Sequence, residues 1–358
     1  MHNLEKPKIG IGCMRWIKQK KHNREMAHRA LACGMNYFET APAYTRGFNE
    51  FILADALSGI QRERYMIASK LHIHLYNTYE EYESSLDRSL QSLHTDYLDF
   101  YLLHRLDREL YEKAKTHDAL IFLKNMVNKG KIRRIGFSFH DNYNVFKQII
   151  NEFEWDFAQI QMNYLDDRAE ATTHGIALAK EKAIPIHIMQ PLKGGLLANL
   201  PPDLSDVFKK SGIKEDPVTF AYKWLYQMEN IDYIIAGVTE VSQIDHLSKL
   251  HQEIYLEPLS NHERDTVEKL KTVYYDNNMI DCINCMYCNN VCPQGIQISH
   301  IFTNYNLAHR TGHLDLFINH FNGENTNCIK CGKCMASCPR KIDIIHYLTN
   351  IKNIIKKA

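Results

Sequence analysis

The sequence predicts a (β/α)8 barrel followed by a small, mainly α-helical domain. Short β-rich segments alternate strictly with helical segments, eight times between residues 8 and 251, which is the pattern of a parallel barrel. Eight of the ten cysteines then fall between Cys282 and Cys338, so the rest of the chain has a different composition. We therefore expect the barrel at 1–258, a connecting helix at 259–277 and the cysteine-rich domain at 278–358.

The barrel prediction rests on each strand being followed by a helix. The predicted strands are 8–14, 37–41, 66–71, 99–104, 134–139, 158–164, 185–190 and 233–238. The helices that follow them, in the same order, are 24–33, 49–57, 79–93, 119–128, 143–153, 176–182, 217–228 and 242–251. A doubly wound open sheet is the competing fold, but it needs a glycine-rich phosphate turn after the first strand. Gly10, Gly12 and Cys13 offer no such turn.

The composition is that of an ordinary globular protein. Its 358 residues include 43 Lys and Arg against 42 Asp and Glu, and 45% are hydrophobic, which disfavours disorder and polyanion binding. The longest apolar runs, such as 119–123 and 233–238, are far shorter than the ~20 residues of a membrane helix. Residues 1–10 do not have the apolar run expected of a signal segment. We expect a cytoplasmic protein that binds neither membrane nor nucleic acid.

The clustered cysteines form two runs with the same spacing. The first reads C-I-N-C-M-Y-C-N-N-V-C-P and the second C-I-K-C-G-K-C-M-A-S-C-P. A disulfide framework is one alternative, but in a reducing compartment clustered thiols are usually metal sites. Zinc is another, although zinc sites mostly pair two C-x-x-C hooks without a fourth cysteine followed by proline. The runs have the ligand pattern of [4Fe-4S] clusters.

In two-cluster ferredoxins the fourth cysteine of each run ligates the other cluster. This implies one site made of Cys282, Cys285, Cys288 and Cys338, and another made of Cys328, Cys331, Cys334 and Cys292. Apolar residues at helical spacing in 296–321 and 344–355 resemble the all-helical, ferredoxin-type dicluster domain. Its role would be one-electron transfer, and a purely structural role for the clusters is the alternative.

The ends of the predicted strands carry groups that can move protons. In a barrel, catalytic residues lie at the C-terminal ends of the strands. The second strand leads to Glu39 and Tyr44, the third to Lys70 and the fourth to His104. Each alone means little, because the chain has 20 Tyr and 19 His. Together they predict a proton-donating site in which a lysine, held by a carboxylate, lowers the pKa of a tyrosine.

Several ordered motifs resemble the aldo-keto reductases. They are G-M-N-Y-F-E-T-A-P-A-Y (34–44), I-A-S-K (67–70), D-Y-L-D-F-Y-L-L-H (96–104), I-G-F-S-F-H (135–140) and M-Q-P-L-K-G-G (189–195). The opening G-I-G-C-M-R (10–15) and the cysteine-rich tail are similar to the branch with a C-terminal dicluster 4Fe-4S ferredoxin domain. The resemblance implies carbonyl reduction by NADH or NADPH, with Tyr44 as proton donor, Lys70 tuning its pKa and His104 orienting the carbonyl.

The resemblance also implies residues that contact the nicotinamide cofactor. Ser138 and Gln161 would hold the carboxamide, and Met189 would lie beneath the nicotinamide ring. Further contacts would come from Met14 and Arg15 after the first strand. The pyrophosphate and ribose would be lined by Leu192, Gly195, Gly237, Thr239 and Gln243.

Two departures from the family pattern bear on the chemistry. Glu39 stands where the family usually has Asp, so the carboxylate is one methylene further from the backbone. The last loop of the barrel lacks the Lys and Arg that many relatives place on the 2′-phosphate of NADP, and it has Glu240 and Asp245 instead. We therefore expect NAD to bind as well as NADP.

The predicted barrel and the predicted cluster domain transfer different numbers of electrons at a time. A nicotinamide transfers a hydride, which carries two electrons, whereas each cluster takes one, and the usual mediator is a flavin, for which no signature is visible. We expect a reductase whose clusters connect it to a redox partner protein. The alternatives are an electron-transfer subunit whose barrel is a non-catalytic docking scaffold, and a barrel enzyme whose clusters only order the C-terminal domain.

Overall fold

The protein contains a closed parallel barrel. The structure is a computed structural model that describes residues 6–17, 19–253, 258–276, 279–311, 313–321 and 327–357. Eight strands of these residues pair in chain order, and β1 pairs with both β2 and β8. They are β1 (Lys8–Gly12), β2 (Tyr37–Glu39), β3 (Met66–Leu71), β4 (Leu98–Leu106), β5 (Ile132–Phe139), β6 (Phe157–Gln161), β7 (Ile186–Met189) and β8 (Ile231–Ala236). The predicted barrel is confirmed, with strand ends that differ by up to three residues.

Aromatic rings from alternate strands fill the barrel interior. Tyr37 on β2, Phe100 on β4, Phe157 on β6 and Tyr233 on β8 belong to one buried cluster, and the rings of Tyr37 and Tyr233 stack at 4.4 Å. A layer of four side chains from the even-numbered strands is the usual filling of such a barrel.

Two glycines on odd-numbered strands leave room for this layer. A Cβ atom on Gly10 of β1 would lie 2.6 Å from the ring of Tyr37, and one on Gly136 of β5 would lie 2.6 Å from the ring of Phe157. Any side chain at these positions would collide with a ring. Packing of the barrel interior therefore explains Gly10 and Gly136.

The helices that follow the strands mostly match the prediction. They are α1 (Lys20–Ala32), α2 (Asn49–Leu57), α3 (Tyr79–Leu93), α4 (Arg108–Thr116), α5 (Ala119–Asn128), α6 (Tyr143–Glu152), α7 (Thr172–Glu181), α8 (Pro202–Ser211), α9 (Pro217–Leu225) and α10 (Val241–Glu253). The sequence did not predict α4 or α8. Each buries only two side chains, Tyr111 and Ala114 in α4 and Leu204 and Phe208 in α8, which is too few to give a periodic signal.

The remainder of the described chain is helical, as predicted. It forms α11 (Asn261–Asp276), α12 (Tyr287–Val291), α13 (Ile298–Thr311), α14 (Leu314–His320), α15 (Lys333–Ala336) and α16 (Ile344–Lys357). The apolar pattern at 296–321 corresponds to two helices, α13 and α14, rather than one.

The Cα positions group into two compact units. The first unit comprises the described residues of 1–191 and 222–257, which include all eight strands. The second comprises 192–221 and the described residues from 258 onwards. Within it, α8 packs on α11, and a separate core surrounds Cys288, Cys334 and Cys338. No helix of the described chain is long and apolar enough to cross a membrane.

Candidate active site and cysteine cavities

Three of the predicted catalytic residues meet at the ends of β2 and β3. The ammonium nitrogen of Lys70 donates to the phenolic oxygen of Tyr44 at 2.8 Å and to the carbonyl oxygen of Thr40 at 3.0 Å. It also forms an ion pair with the carboxylate of Glu39. The hydroxyl of Tyr44 lies 3.3 Å from Oε1 of Glu39. Lys70 thus contacts a phenol and a carboxylate at the same time.

All three side chains are buried, and this sets the electrostatics of the site. Burial lowers the pKa of Lys70 well below its usual value, because an ammonium group loses its hydration inside a protein. The adjacent carboxylate of Glu39 opposes this effect, since an opposite charge favours the charged form. An unpaired lysine at this position would leave a costly buried charge.

The fourth predicted residue, His104, lies in β4 with its ring perpendicular to that of Tyr44 at a centroid distance of 6.0 Å. Its Nδ1 atom lies 2.7 Å from Nε2 of His72. Burial lowers the pKa of His104 well below its usual value and lowers the pKa of His72 to about 3. Both imidazoles are therefore neutral near pH 7, so one donates the shared hydrogen bond and the other accepts it.

Gln161, at the end of β6, has a buried acceptor that lacks a donor. Its Nε2 donates to the carboxylate of Asp166 at 2.8 Å, an assignment that chemistry requires because a carboxylate only accepts. Its Oε1 is buried without a hydrogen-bond partner among the described residues. Ser138, also buried, accepts from the backbone N–H of Arg105 at 2.7 Å. A ligand with an amide N–H group would satisfy the Gln161 oxygen.

Of the cofactor contacts predicted after β1 and β8, the structure brings Arg15 and Gly237 close together. Met14 and Arg15 form a single 3-10 turn after β1, and a Cβ atom on Gly237 would lie 3.2 Å from a guanidinium nitrogen of Arg15. The side chain of Gln243 in α10 accepts from the backbone N–H of Thr239 at 2.8 Å. A side chain of α10 thus holds the backbone of the loop after β8.

The remaining predicted contacts belong to β7 or follow it in the sequence. Met189 pairs in register with Gln161. Leu192 and Gly195 belong to the second unit, where the N–H of Gly195 donates to the carbonyl of Leu192 at 2.9 Å. The φ angle of Gly195 is 103°, a conformation that favours glycine.

Sequence reasoning missed two residues that shape the site. His72 lies two residues beyond Lys70, so the alternation of side chains in a strand should have placed both on one face. Asp166 holds Gln161 from the loop after β6, and nothing in N-Y-L-D-D marks it as more than a loop carboxylate. The position of His72 could have been inferred from its spacing to Lys70, whereas the contact of Asp166 depends on how the loop after β6 folds.

The eight clustered cysteines line two cavities of the second unit. The first cavity is lined by Cys282, Cys285, Cys288 and Cys338, and the second by Cys292, Cys328, Cys331 and Cys334. The last cysteine of each run therefore faces the cavity formed by the first three of the other. The other lining residues are mostly apolar, such as Phe302 in the first and Leu348 in the second.

Burial raises the pKa of three of the thiols that line these cavities. The pKa of Cys282 is raised to about 12, and those of Cys288 and Cys334 are also raised. These thiols are therefore protonated near pH 7 unless a positive charge stabilises the thiolates. Metal coordination supplies such a charge and deprotonates the thiols. Four thiols facing one apolar cavity fit a thiolate-held iron–sulfur cluster.

Comparison with known proteins identifies both parts of the chain. The model of the aldo/keto reductase family matches residues 8–270, and that of the 4Fe-4S dicluster domain matches residues 281–342. An uncharacterized oxidoreductase of Bacillus subtilis is 26% identical over 294 residues, which cover 76% of this chain and 92% of that protein. The NADH-specific methylglyoxal reductase of Escherichia coli is 28% identical over 188 residues, 48% of this chain and 56% of that protein.

Solved structures share the barrel. An aldo-keto reductase from Bacillus halodurans in its holo form has a TM-score of 0.62 at 22% identity and covers 75% of this chain and 96% of its own. One from Klebsiella pneumoniae in complex with NADPH has a TM-score of 0.60 at 19% identity, with coverages of 74% and 91%. The protein is therefore an oxidoreductase. It belongs to the aldo/keto reductase family and carries a C-terminal 4Fe-4S dicluster domain.

Proposed function

We propose that this chain reduces a small carbonyl compound with NADH or NADPH in its barrel and exchanges single electrons with a partner protein through two [4Fe-4S] clusters. The observation that carries the reductase part is the buried contact of Lys70 with both Tyr44 and Glu39. A phenol beside an ammonium group is suited to donate a proton to an oxygen that gains negative charge. Burying an ion pair is costly, and core packing does not require it.

In this proposal Tyr44 donates its phenolic proton to the carbonyl oxygen. The ammonium group of Lys70, 2.8 Å from the phenolic oxygen, stabilises the phenolate that remains. Glu39 keeps Lys70 charged against the effect of burial. These roles come from the family resemblance, and the distances among the three side chains support them.

His104 is proposed to orient the carbonyl, and His72 to fix the tautomer of His104. If Nε2–H of His72 donates to Nδ1 of His104, then His104 carries its own proton on Nε2. That N–H can donate a hydrogen bond to the carbonyl oxygen. The low pKa values of both rings support a neutral donor, in which His104 polarises the substrate without giving up a proton.

The cofactor proposed for the barrel is a nicotinamide dinucleotide, which supplies the hydride when bound. The unpaired Oε1 of Gln161 fits the amide N–H of its carboxamide, and the hydroxyl of Ser138 is a second candidate contact. Met189 would lie beneath the ring. The other proposed contacts, from the family resemblance, are Met14, Arg15, Leu192, Gly195, Gly237, Thr239 and Gln243.

We further propose that NADH is accepted as well as NADPH. The loop after β8 carries Glu240, and Asp245 of α10 forms an ion pair with Arg29 of α1. Neither carboxylate would attract a 2′-phosphate. One relative is described as NADH-specific and one structural neighbour as bound to NADPH, so the family accommodates both nucleotides.

The C-terminal domain is proposed to hold two clusters, one per cavity, each ligated by the four cysteines that line it. Such clusters supply one-electron transfer. The hydride and the proton already complete the reduction of the carbonyl, so the clusters would exchange their electrons separately, with the partner protein. The cytoplasmic location stays a prediction from the sequence.

Replacing Tyr44 by Phe tests the proposal. The parent, Tyr44→Phe and the control Tyr97→Phe, whose hydroxyl has no hydrogen-bond partner among the described residues, would be assayed anaerobically with small aldehydes and ketones and each nucleotide. We expect Tyr44→Phe to lose about 10²- to 10⁴-fold in turnover, with nucleotide binding unchanged and the control active. A parent that binds nucleotide, holds its clusters and reduces nothing would instead favour the electron-transfer subunit with a scaffold barrel.

A further inference from the structure

The two cysteine runs are structurally equivalent segments. Asn284 and Lys330, two residues after the first cysteine of each run, have left-handed φ angles of 52° and 56°. Met286 and Gly332, one residue after the second cysteine, have φ angles of 63° and 77°. Both runs then continue into a short helix, α12 or α15. Residues at the same place in the two runs can therefore be compared directly.

The isoleucine that follows the first cysteine is covered in one run and uncovered in the other. Ile283 is 3% exposed, whereas Ile329 is 58% exposed. The turn of Lys193 and Gly194 covers Ile283. A Cβ atom on Gly194 would lie 2.5 Å from the carbonyl oxygen of Ile283. Lys193 also forms an ion pair with Asp281 at 3.3 Å. No described segment covers Ile329 in this way.

The uncovered run is also the charged one. The second run has Lys330 and Lys333 at the positions that Asn284 and Tyr287 occupy in the first run. Both lysines are exposed, and so is Cys331 between them. The surrounding sequence follows the same trend. Residues 281–312 have one cation, Arg310, and one carboxylate, whereas 327–358, of equal length, have seven Lys and Arg and one carboxylate. The near-zero charge of the whole chain conceals this basic segment.

We infer that Ile329, Lys330, Cys331 and Lys333 form the docking surface for an acidic one-electron carrier protein. This inference deepens the proposed function and rests on it. Ile329 supplies an apolar centre and the lysines a basic rim, which is the usual anatomy of a protein interface. A cluster held by Cys292, Cys328, Cys331 and Cys334 would accept one electron from the reduced carrier, which would be oxidised as the cluster is reduced. No bond or proton is exchanged.

A protein partner fits these residues better than a nucleic acid or an anionic membrane. A polyanion needs cations but no apolar centre, and here an exposed isoleucine lies between two cluster cysteines. The backbone N–H of Lys330 also donates to the sulfur of Cys328 at 3.4 Å. The surface is therefore joined directly to a proposed cluster ligand, which suits transfer of an electron rather than simple adhesion.

The test measures electron transfer into the holoprotein from an acidic two-cluster ferredoxin used as probe. Reduced ferredoxin would be mixed anaerobically with the oxidised protein in a stopped-flow instrument, at increasing NaCl concentrations. The key variant is Lys330→Asn with Lys333→Tyr, which places the residues of the first run at the equivalent positions. Asparagine tolerates a left-handed backbone conformation, and Asn284 has this conformation in the first run.

We expect the second-order rate constant of the parent to fall steeply with salt. We expect the double variant to react about tenfold more slowly at low salt and to lose most of the salt dependence, since steering by charge raises association rates by 10 to 10³. Ile329→Ser should slow the reaction at every salt concentration. The charge-matched control, Lys21→Asn with Lys147→Asn on exposed barrel helices, should behave as the parent.

The outcomes separate this inference from the proposed function. Iron and sulfide content and the extent of reduction by excess dithionite report on the clusters themselves. If the clusters are absent or cannot be reduced, the proposed electron-transfer function fails. If the clusters are intact, a parent rate that is slow or insensitive to salt, or a double variant as fast as the control, overturns the docking surface. Loss of binding to anionic vesicles or DNA in the double variant, with an unchanged ferredoxin rate, overturns it in favour of a polyanion.

Discussion

Nδ1 of His104 lies 2.7 Å from Nε2 of His72, and both rings are buried. The two imidazoles act as one group, because the tautomer of each is set by the other. The hydrogen bond with His72 therefore helps to set which nitrogen of His104 carries a proton. This pair makes His72 a positioning residue in the proposed mechanism, although it has no assigned contact with substrate.

His72→Leu is expected to lower kcat/KM for carbonyl reduction about 10- to 100-fold. The change removes the hydrogen bond between His72 and the buried ring of His104, which costs about 1 to 3 kcal/mol. His72→Asn should recover part of the loss, because its amide can donate to Nδ1. Steady-state kinetics and nucleotide titration would check this. An equal loss in both variants, or a matching loss of nucleotide affinity, would contradict a role in positioning His104.

The buried histidines should make the barrel less stable as the pH falls below about 6.5. The pKa of His72 is lowered to about 3 by burial, so the unfolded chain binds a proton between pH 6.5 and 3 that the folded chain excludes. The free energy of unfolding therefore rises with pH in this window, by at most about 1.4 kcal/mol per pH unit for each such histidine.

Comparison of the parent with His72→Asn isolates this contribution. The variant should lose less stability between pH 6.5 and 5.5 than the parent, by up to about 1.4 kcal/mol. Urea unfolding at each pH, followed by tryptophan fluorescence, measures the difference. Parallel pH profiles for the two proteins would show that His72 takes up a proton in the folded barrel.

The barrel and the meeting of Tyr44, Lys70 and Glu39 could be predicted because they depend on local pattern. Strand alternation determines which side chains point inward, and the ends of parallel strands meet at one rim. What could not be predicted depends on chain segments that fold back. Asp166 reaches Gln161 from a loop, and the Lys193–Gly194 turn covers Ile283. Periodic patterns in the sequence do not predict such contacts.

Pairs of cysteine substitutions should reveal which residues share a cluster. The parent is expected to hold about eight irons, and Cys292→Ala about four. Adding Cys331→Ala, which lines the same cavity, should leave the iron content near four. Adding Cys288→Ala, which lines the other cavity, should bring it near zero. Iron and sulfide analysis of anaerobic protein measures this, and the reverse pattern would indicate that each run holds its own cluster.

Substitution of Glu39 tests whether the barrel is catalytic. Glu39→Gln removes the counterion of Lys70, whose pKa is already lowered by burial, so Lys70 should lose its charge. Tyr44 then loses a cation at 2.8 Å and an anion at 3.3 Å. Because the nearer charge has the larger effect, the alkaline limb of the pH–rate profile should move upward while turnover slows.

Glu39→Asp is the matched control, because it keeps the charge and restores the residue that is usual in the family. If the longer side chain is only tolerated, Glu39→Asp should retain or increase activity, whereas Glu39→Gln should be destabilised by about 3 to 5 kcal/mol as a broken buried ion pair. Both variants would be assayed with aldehydes, ketones and quinones and each nucleotide. If the parent and Glu39→Asp bind nucleotide and hold their clusters but oxidise neither nucleotide with any of these compounds, the barrel is a scaffold and the protein an electron-transfer subunit.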